Sequence, residues 1–233
     1  MKLGGLQKLT LIDYPGKIAA TVFTVGCSFR CPFCHNPELV LPDWSGGTGS
    51  VSEKEFFDFL KSRKNKLEGV CITGGEPTIQ KNLLEFMGKI KELNFAVKLD
   101  SNGTRPDVLR EAFEKKLVDF VSMDIKNAPE KYSQTAGVEA DLERIKLSVK
   151  LIQNSRINYE FRTTVVPGFH EENDFDKIAQ WLKGSKKYAL QKFRDEGKLL
   201  DGSIRKDIDK HQEVDLEKVK KKVEKYFGEV EVR

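Results

Sequence analysis

Cys27, Cys31 and Cys34 are spaced C-x3-C-x2-C within GCSFRCPFCHNPE, and no fourth cysteine stands beside them. Thiolates gathered this closely bind metal, and their odd number admits two readings. A structural zinc site wants four protein ligands, and His35 would complete a Cys3His set. Three thiolates alone hold three corners of a [4Fe-4S] cluster, leaving one iron open to bind and act on something else. The spacing leaves both open. Cys71, inside the apolar run GVCIT, reads as a buried small hydrophobe and not as a ligand. His170 and His211 lie in charged, loop-like sequence and read as solvated.

Four more clusters carry glycines or polar groups: Thr73-Gly-Gly-Glu-Pro77, Asp100-Ser-Asn-Gly103, Asp124-Ile-Lys126 and Val165-Val-Pro-Gly168. Each has an ordinary explanation. Gly74-Gly75 and Pro167-Gly168 suit turns, Asp100 and Asp124 suit helix N-caps, and Asp124 with Lys126 suits a surface ion pair. Their placement is less ordinary. Every cluster, the cysteine loop included, follows an apolar, β-rich run: 18–25, 69–73, 95–100, 120–125 and 158–165, with a sixth run at 188–193. Between these runs the apolar period changes to helical. Ser52 and Glu55 form a capping box before a helix carrying Phe56, Phe59 and Leu60 on one face. Further helices are expected over 82–93, 106–116, 139–154, 171–183 and 216–227.

Strand and helix alternating about six times predict parallel strands with helical crossovers. Six units are too few for a complete eight-stranded barrel, so the expected architecture is α/β, a partial (β/α)6 TIM-like barrel. The clusters then share the C-terminal rim, where barrels carry their active sites. With 233 residues, no repeat and no linker, a single domain is expected over 1–233. Residues 1–17 would be an N-terminal extension, 18–193 the barrel core and 194–233 a helical tail.

The bulk composition excludes more than it assigns. Forty Lys and Arg against 36 Asp and Glu leave a net charge of only +4, which gives no footing for nucleic-acid binding. The longest apolar stretch, 18–25, is too short to span a bilayer, and the first residues lack the pattern of a signal peptide. Both point to the cytoplasm, where thiols stay reduced and clustered cysteines favour metal or redox chemistry over disulfides.

C-x3-C-x2-C with Phe33 before its last cysteine, continued by His35-Asn36, followed by Gly74-Gly75-Glu76-Pro77, resembles the radical S-adenosylmethionine (radical SAM) superfamily. With the D-[ST]-N-G and D-x-K strand ends, the chain is similar to the glycyl-radical-enzyme activating enzymes. Ile12-Asp-Tyr-Pro-Gly-Lys17 and Cys31-Pro-Phe-Cys-His-Asn-Pro-Glu38 most resemble activating proteins of anaerobic ribonucleoside-triphosphate reductase. The likeness runs from about Leu6 to Phe193. It implies a [4Fe-4S] cluster on Cys27, Cys31 and Cys34, whose free iron chelates S-adenosylmethionine. One-electron cleavage then yields a 5′-deoxyadenosyl radical, which takes a hydrogen atom from a glycine of a partner glycyl radical enzyme. Flavodoxin or ferredoxin is the implied electron donor.

The resemblance also implies residue roles. Gly74, Gly75 and Glu76 would meet the methionyl amino group. Phe33, with the backbone of Cys34 and His35, would meet the adenine. Ser101, Asn102, Asp124, Lys126 and Arg162 would meet the ribose and carboxylate. Related activators can bind a monovalent cation, for which Asp100, Ser101, Ser122 and Asp124 offer oxygens here. Two departures stand out from pyruvate formate-lyase activators. Their Pro-Tyr-His run is here Leu190-Gln-Lys-Phe193, and their D-G-P-G segment, implied to lie near the target glycine, is here Asp13-Tyr-Pro-Gly16. Activation of a pyruvate formate-lyase-like enzyme and a small-molecule radical enzyme such as a deazapurine synthase remain alternatives.

Overall fold

Period-two strands alternating with amphipathic helices fold, in a computed structural model describing residues 1–41 and 50–233, around one eight-stranded sheet. Its strands are β1 (Leu3–Thr10), β2 (Ala19–Thr24), β3 (Gly69–Gly74), β4 (Ala96–Ser101), β5 (Phe120–Asp124), β6 (Asn158–Val165), β7 (Lys187–Lys192) and β8 (Glu229–Val232). They lie in sequence order; β1 is antiparallel to β2 and every other pair is parallel. The helices are α1 (Pro37–Val40), α2 (Glu53–Ser62), α3 (Leu83–Glu92), α4 (Pro106–Glu114), α5 (Tyr132–Ala136), α6 (Leu142–Gln153), α7 (Asp174–Trp181), α8 (Arg205–Ile208) and α9 (Leu216–Val223).

The six expected strands are β2 to β7, and they form the expected α/β partial barrel. Two flanking strands were not expected. Residues 1–17, read as an extension, contribute β1, and the tail read as helical contributes β8 beyond α9. Both escape a period-two reading for physical reasons. In β1 only Leu3 and Thr10 are buried, and β8 is four residues long. β1 and β8 are the sheet's two edges, so the barrel stays open between them.

Strand alternation sorts the core. On the outer face Val70, Ile72, Val97, Leu99, Val121, Met123, Tyr159 and Phe161 are buried in one apolar cluster with the helices. On the inner face the same strands carry Cys71, Thr73, Lys98, Asp100, Ser122, Asp124, Glu160 and Arg162, which bond to one another. Barrels are usually filled with branched apolar side chains. This lumen is polar and charged.

The capping box is present: Glu55 N donates to Ser52 Oγ at 3.1 Å and Ser52 N to the Glu55 carboxylate at 2.8 Å. Phe56 and Leu60 of α2 are buried, while Phe59 is only partly so. Other helices begin later than their periodicity suggests. The Asp141 carboxylate caps α6, and before α7 the Asp174 carboxylate accepts Glu171 N at 2.8 Å, holding that stretch in a turn.

Tyr14 packs at one end of the barrel. It is buried against the first residues of two strands: a Cβ on Gly69 would lie 2.9 Å from its ring, and the Phe120 ring is 6.1 Å away. Asp13–Gly16 therefore closes the N-terminal end of the barrel, the end opposite the cysteine loop. The turn itself is as read, with Lys17 N donating to Tyr14 O and Gly16 at φ +74°.

Candidate active site

The cysteine loop leaves β2 and is held by backbone bonds from several elements. Gly75 N donates to Thr24 O, Glu76 N to Gly26 O, and Gly26 N to Leu39 O. Arg30 N donates to Ala136 O at the end of α5, while its guanidinium donates to Cys27 O and Phe29 O at 2.7 and 2.8 Å. From the other side, Leu200 N donates to Cys34 O and Asp201 N to Pro32 O. The paired glycines are required here. A Cβ on Gly75 would lie 2.1 Å from Gly26 O, and one on Gly74, at φ +114°, would lie 2.4 Å from Thr24 N. Only glycine lets the two strand ends meet.

Cys27, Cys31 and Cys34 line one wall of a cavity of about 250 Å³, and all four cysteines are free. Burial pushes all three thiols up, that of Cys27 to about 12, helped by the nearby Glu76 charge. A metal group bound by these thiols must displace their protons. His35 does not turn to the thiols; its ring stacks on Phe193 at 5.1 Å, with Nε2 buried and unpartnered among the described residues. Nor, among those residues, do three Cys, His, Asp or Glu side chains converge as ligands of one ion. That disfavours a Cys3His zinc knuckle, which needs four donors around one point. A cubane, gripped at separate corners, needs less convergence.

The same cavity is lined by Phe33, His35, Gly74, Gly75, Glu76, Ser101, Asn102, Asp124, Lys126 and Arg162, so the sequence-derived residues are brought together. Phe33 is held edge-on by Phe169 and Phe193. Glu76 is buried and acts as a staple. Its Oε1 accepts Thr78 N at 3.1 Å and Ser101 Oγ at 2.9 Å, and its Oε2 accepts Asn102 N at 2.6 Å. Asn102 in turn donates to Ser28 Oγ at 2.9 Å, tying the β4 end to the cysteine loop.

Across the cavity floor runs a charged ladder. Arg162 Nη2 donates to Asp100 Oδ2 at 3.2 Å and its Nε to Asp124 Oδ1 at 2.9 Å, while Lys126 Nζ donates to Asp124 Oδ2 at 3.1 Å. Burial alone would raise both carboxyls; Arg162, with Lys98 beside Asp100 and Lys126 beside Asp124, holds them below the usual carboxylate range instead. Burial would likewise deprotonate Lys126, and Asp124 keeps it charged.

The four residues offered for a monovalent cation do not present free oxygens to one point. The cations beside Asp100 and Asp124 are protein side chains, Ser101 Oγ bonds to Glu76, and Ser122 Oγ donates to Glu160 at 2.9 Å, outside the cavity lining. Asp100 and Asp124 cap no helix; α4 follows Arg105.

His170, read as solvated, is buried. Its Nδ1 accepts Val166 N at 3.1 Å, which leaves Nε2 as the donor to Lys126 O at 2.8 Å, so it fixes the segment bearing Lys126. His211 is exposed as read. Lys98 was missed, although it lies two residues before Asp100 and so on the same strand face.

These residues fall inside a family match. The model described as the Radical SAM superfamily covers residues 21–182. The chain belongs to the radical SAM superfamily. Radical SAM proteins are enzymes that use a [4Fe-4S] cluster and S-adenosylmethionine, and the donor set around this cavity suits both groups. A Methanocaldococcus jannaschii protein, provisionally named a glycyl-radical enzyme activating enzyme, is 34% identical over 99% of this chain and 95% of its own length. Pyruvate formate-lyase-activating enzymes are similar too. That of Listeria monocytogenes is 33% identical over 56% of each chain, and that of Clostridium pasteurianum 28% identical over 98% of each. The fold matches Streptococcus suis SuiB bound to S-adenosylmethionine (TM-score 0.63, 12% identity, 90% of this chain and 48% of that one). It also matches TYW1 with a lysine–pyruvate adduct (TM-score 0.60, 15% identity, 89% and 73%). Among the described residues no helix is long and apolar enough to cross a membrane.

Proposed function

We propose that this radical SAM enzyme is an activase that abstracts a glycine hydrogen and so makes a glycyl radical on anaerobic ribonucleoside-triphosphate reductase. The observation that carries the reading is the shared cavity, with three cysteines on one wall, the GGEP strand end on another and the Arg162–Asp124–Lys126 ladder as its floor. Similarity along nearly the whole chain to a protein named as a glycyl-radical activator supports it.

When bound, the cluster and S-adenosylmethionine supply one-electron reductive cleavage of the sulfonium. The chain's residues bind, orient and exclude water. Cys27, Cys31 and Cys34 would hold the cluster as thiolates. The backbone at Gly74 and Gly75 would receive the methionyl amino group, with Glu76 fixing that strand end and lending its charge. Arg162 and Lys126 are the cations for the carboxylate. Phe33, with the backbone of Cys34 and His35, would meet the adenine, and Ser101, Asn102 and Asp124 would meet the ribose. The gap between β1 and β8 leaves one side of the barrel through which a partner's loop could enter. A flavodoxin or ferredoxin would donate the electron, and the cytoplasm would be the compartment, in keeping with four free thiols.

The reductase target rests on the resemblance of 12–17 and 31–38. Activation of a pyruvate formate-lyase-like enzyme is the second reading, favoured by the Listeria and Clostridium relatives. Anaerobic reconstitution with iron and sulfide, then reductant and S-adenosylmethionine, should yield 5′-deoxyadenosine. Paramagnetic resonance should then find a glycyl radical on the reductase; a radical on a pyruvate formate-lyase alone transfers the assignment, and none on either refutes it. Cys31→Ala should abolish the cluster's visible absorption and Cys71→Ala should keep it. One tightly held zinc in place of a cluster would end the reading altogether.

A further inference from the structure

Lys98 is a lysine where a barrel normally places a branched apolar residue. Its side chain is 2% exposed, on the inner face of β4, with Nζ paired to Asp100 Oδ1 and 3.7 Å from Cys71 Sγ. A buried ammonium is costly, so this one must be held by what it neutralises. Asp100 is that group. Its second oxygen accepts Thr73 Oγ1 at 3.1 Å and Arg162 Nη2 at 3.2 Å. Arg162 spends its Nε on Asp124, and its Nη1 has no hydrogen-bond partner among the described residues.

Three cations, Lys98, Arg162 and Lys126, thus share two carboxylates, and the ladder itself carries one unmatched positive charge. The other acid lining the cavity, Glu76, stands outside the ladder, its oxygens taken by Thr78, Ser101 and Asn102. The deeper carboxylate, Glu160, is matched separately by Arg233 at 2.8 Å. Without Lys98 the tally falls to zero, and Asp100 competes with any incoming anion for Arg162.

We propose that Lys98 is a positioning residue: by neutralising Asp100 from beneath, it leaves the charge of Arg162 and Lys126 to the carboxylate of S-adenosylmethionine. The inference rests on the cofactor site proposed above and adds a residue that makes no contact with the cavity. It touches the cofactor only through Asp100 and Arg162, so its signature is selectivity for the carboxylate.

The test is calorimetric binding to the anaerobically reconstituted holoprotein, with S-adenosylmethionine and its decarboxylated analogue as the two probes. Lys98→Met should weaken S-adenosylmethionine about tenfold or more, a coupling usual for neighbours in one charge network, and leave the decarboxylated analogue within about threefold. Adding Asp100→Asn to Lys98→Met restores the unmatched charge and should bring S-adenosylmethionine back to within about threefold of the parent. Equal weakening of both probes, or no weakening of either, overturns the proposal, as does a double variant no better than the single one. If Lys98→Met does not fold, the double variant, which buries no unpaired charge, carries the test against the parent. A parent protein that binds neither probe refutes the cofactor site itself; a parent that binds with an unselective variant refutes only the role of Lys98.

Discussion

At the scale of single residues, charge neutralisation decides most of what the site can be. Asp100 and Asp124 stay ionised inside the barrel because Arg162, Lys98 and Lys126 outweigh their burial. The sign of the pH dependence follows. Their folded carboxyls sit below the unfolded value of about 3.9, so the unfolded chain takes up protons first as pH falls. Their contribution to stability is therefore complete above about pH 4 and is lost as pH falls through the folded values. Urea unfolding between pH 5 and 2 should show a stability loss over that window, and Asp124→Asn should flatten it. An unchanged acid limb in the variant would mean that the ladder contributes nothing to folding. The cysteines were legible as a candidate metal set from spacing alone. That His35 is not their fourth partner was not, because a ring's orientation depends on Phe193, some 160 residues later in the chain.

Elements bring the site together through their ends. The six core strands and their helices were readable because apolar period two and period 3.6 differ within short windows. What joins their ends was not. His170 looks solvated in a sequence rich in acids, yet it bonds back to Val166 and across to Lys126, a contact between the ends of β5 and β6. At the junction of β2 and β3, Gly75→Ala would force a methyl into Gly26 O. This variant should lose about 2 kcal/mol or more of stability, as overpacking does, and its cysteine loop should lose its fixed geometry. A denaturation midpoint equal to the parent's, with an unaltered cluster spectrum, would show that the loop relaxes around the extra carbon.

For the whole molecule, the open barrel and its polar lumen are one design problem. An interior of charges has to be matched pair by pair, and the last match comes from the residue that follows β8. Arg233 donates to the buried Glu160 at 2.8 Å and also pairs with Glu231, while its backbone continues the β7 ladder. Removing the guanidinium in Arg233→Leu leaves Glu160 buried without its ion-pair partner, held only by Ser122 Oγ among the described residues. The expected cost is about 3 kcal/mol, the low end for breaking a buried pair, because the arginine is partly solvated. Denaturant unfolding measures it, and a loss under about 0.5 kcal/mol would place Arg233 among ordinary surface charges.

Sequence by itself determined the order of the six core strands and their crossover helices, the C-x3-C-x2-C pattern and the family, because each depends on residues close together in the chain. Tertiary structure alone decided the rest. β1 and β8 are strands only because β2 and β7 offer them edges, and Tyr14 belongs to the far end of the barrel because Gly69 and Phe120 leave room for its ring there. Lys98 looks like any surface lysine in VKLDSNG. Its meaning appears only when strand alternation turns it inward beside Asp100, and when a residue 64 positions later in sequence, Arg162, takes that carboxylate's other oxygen.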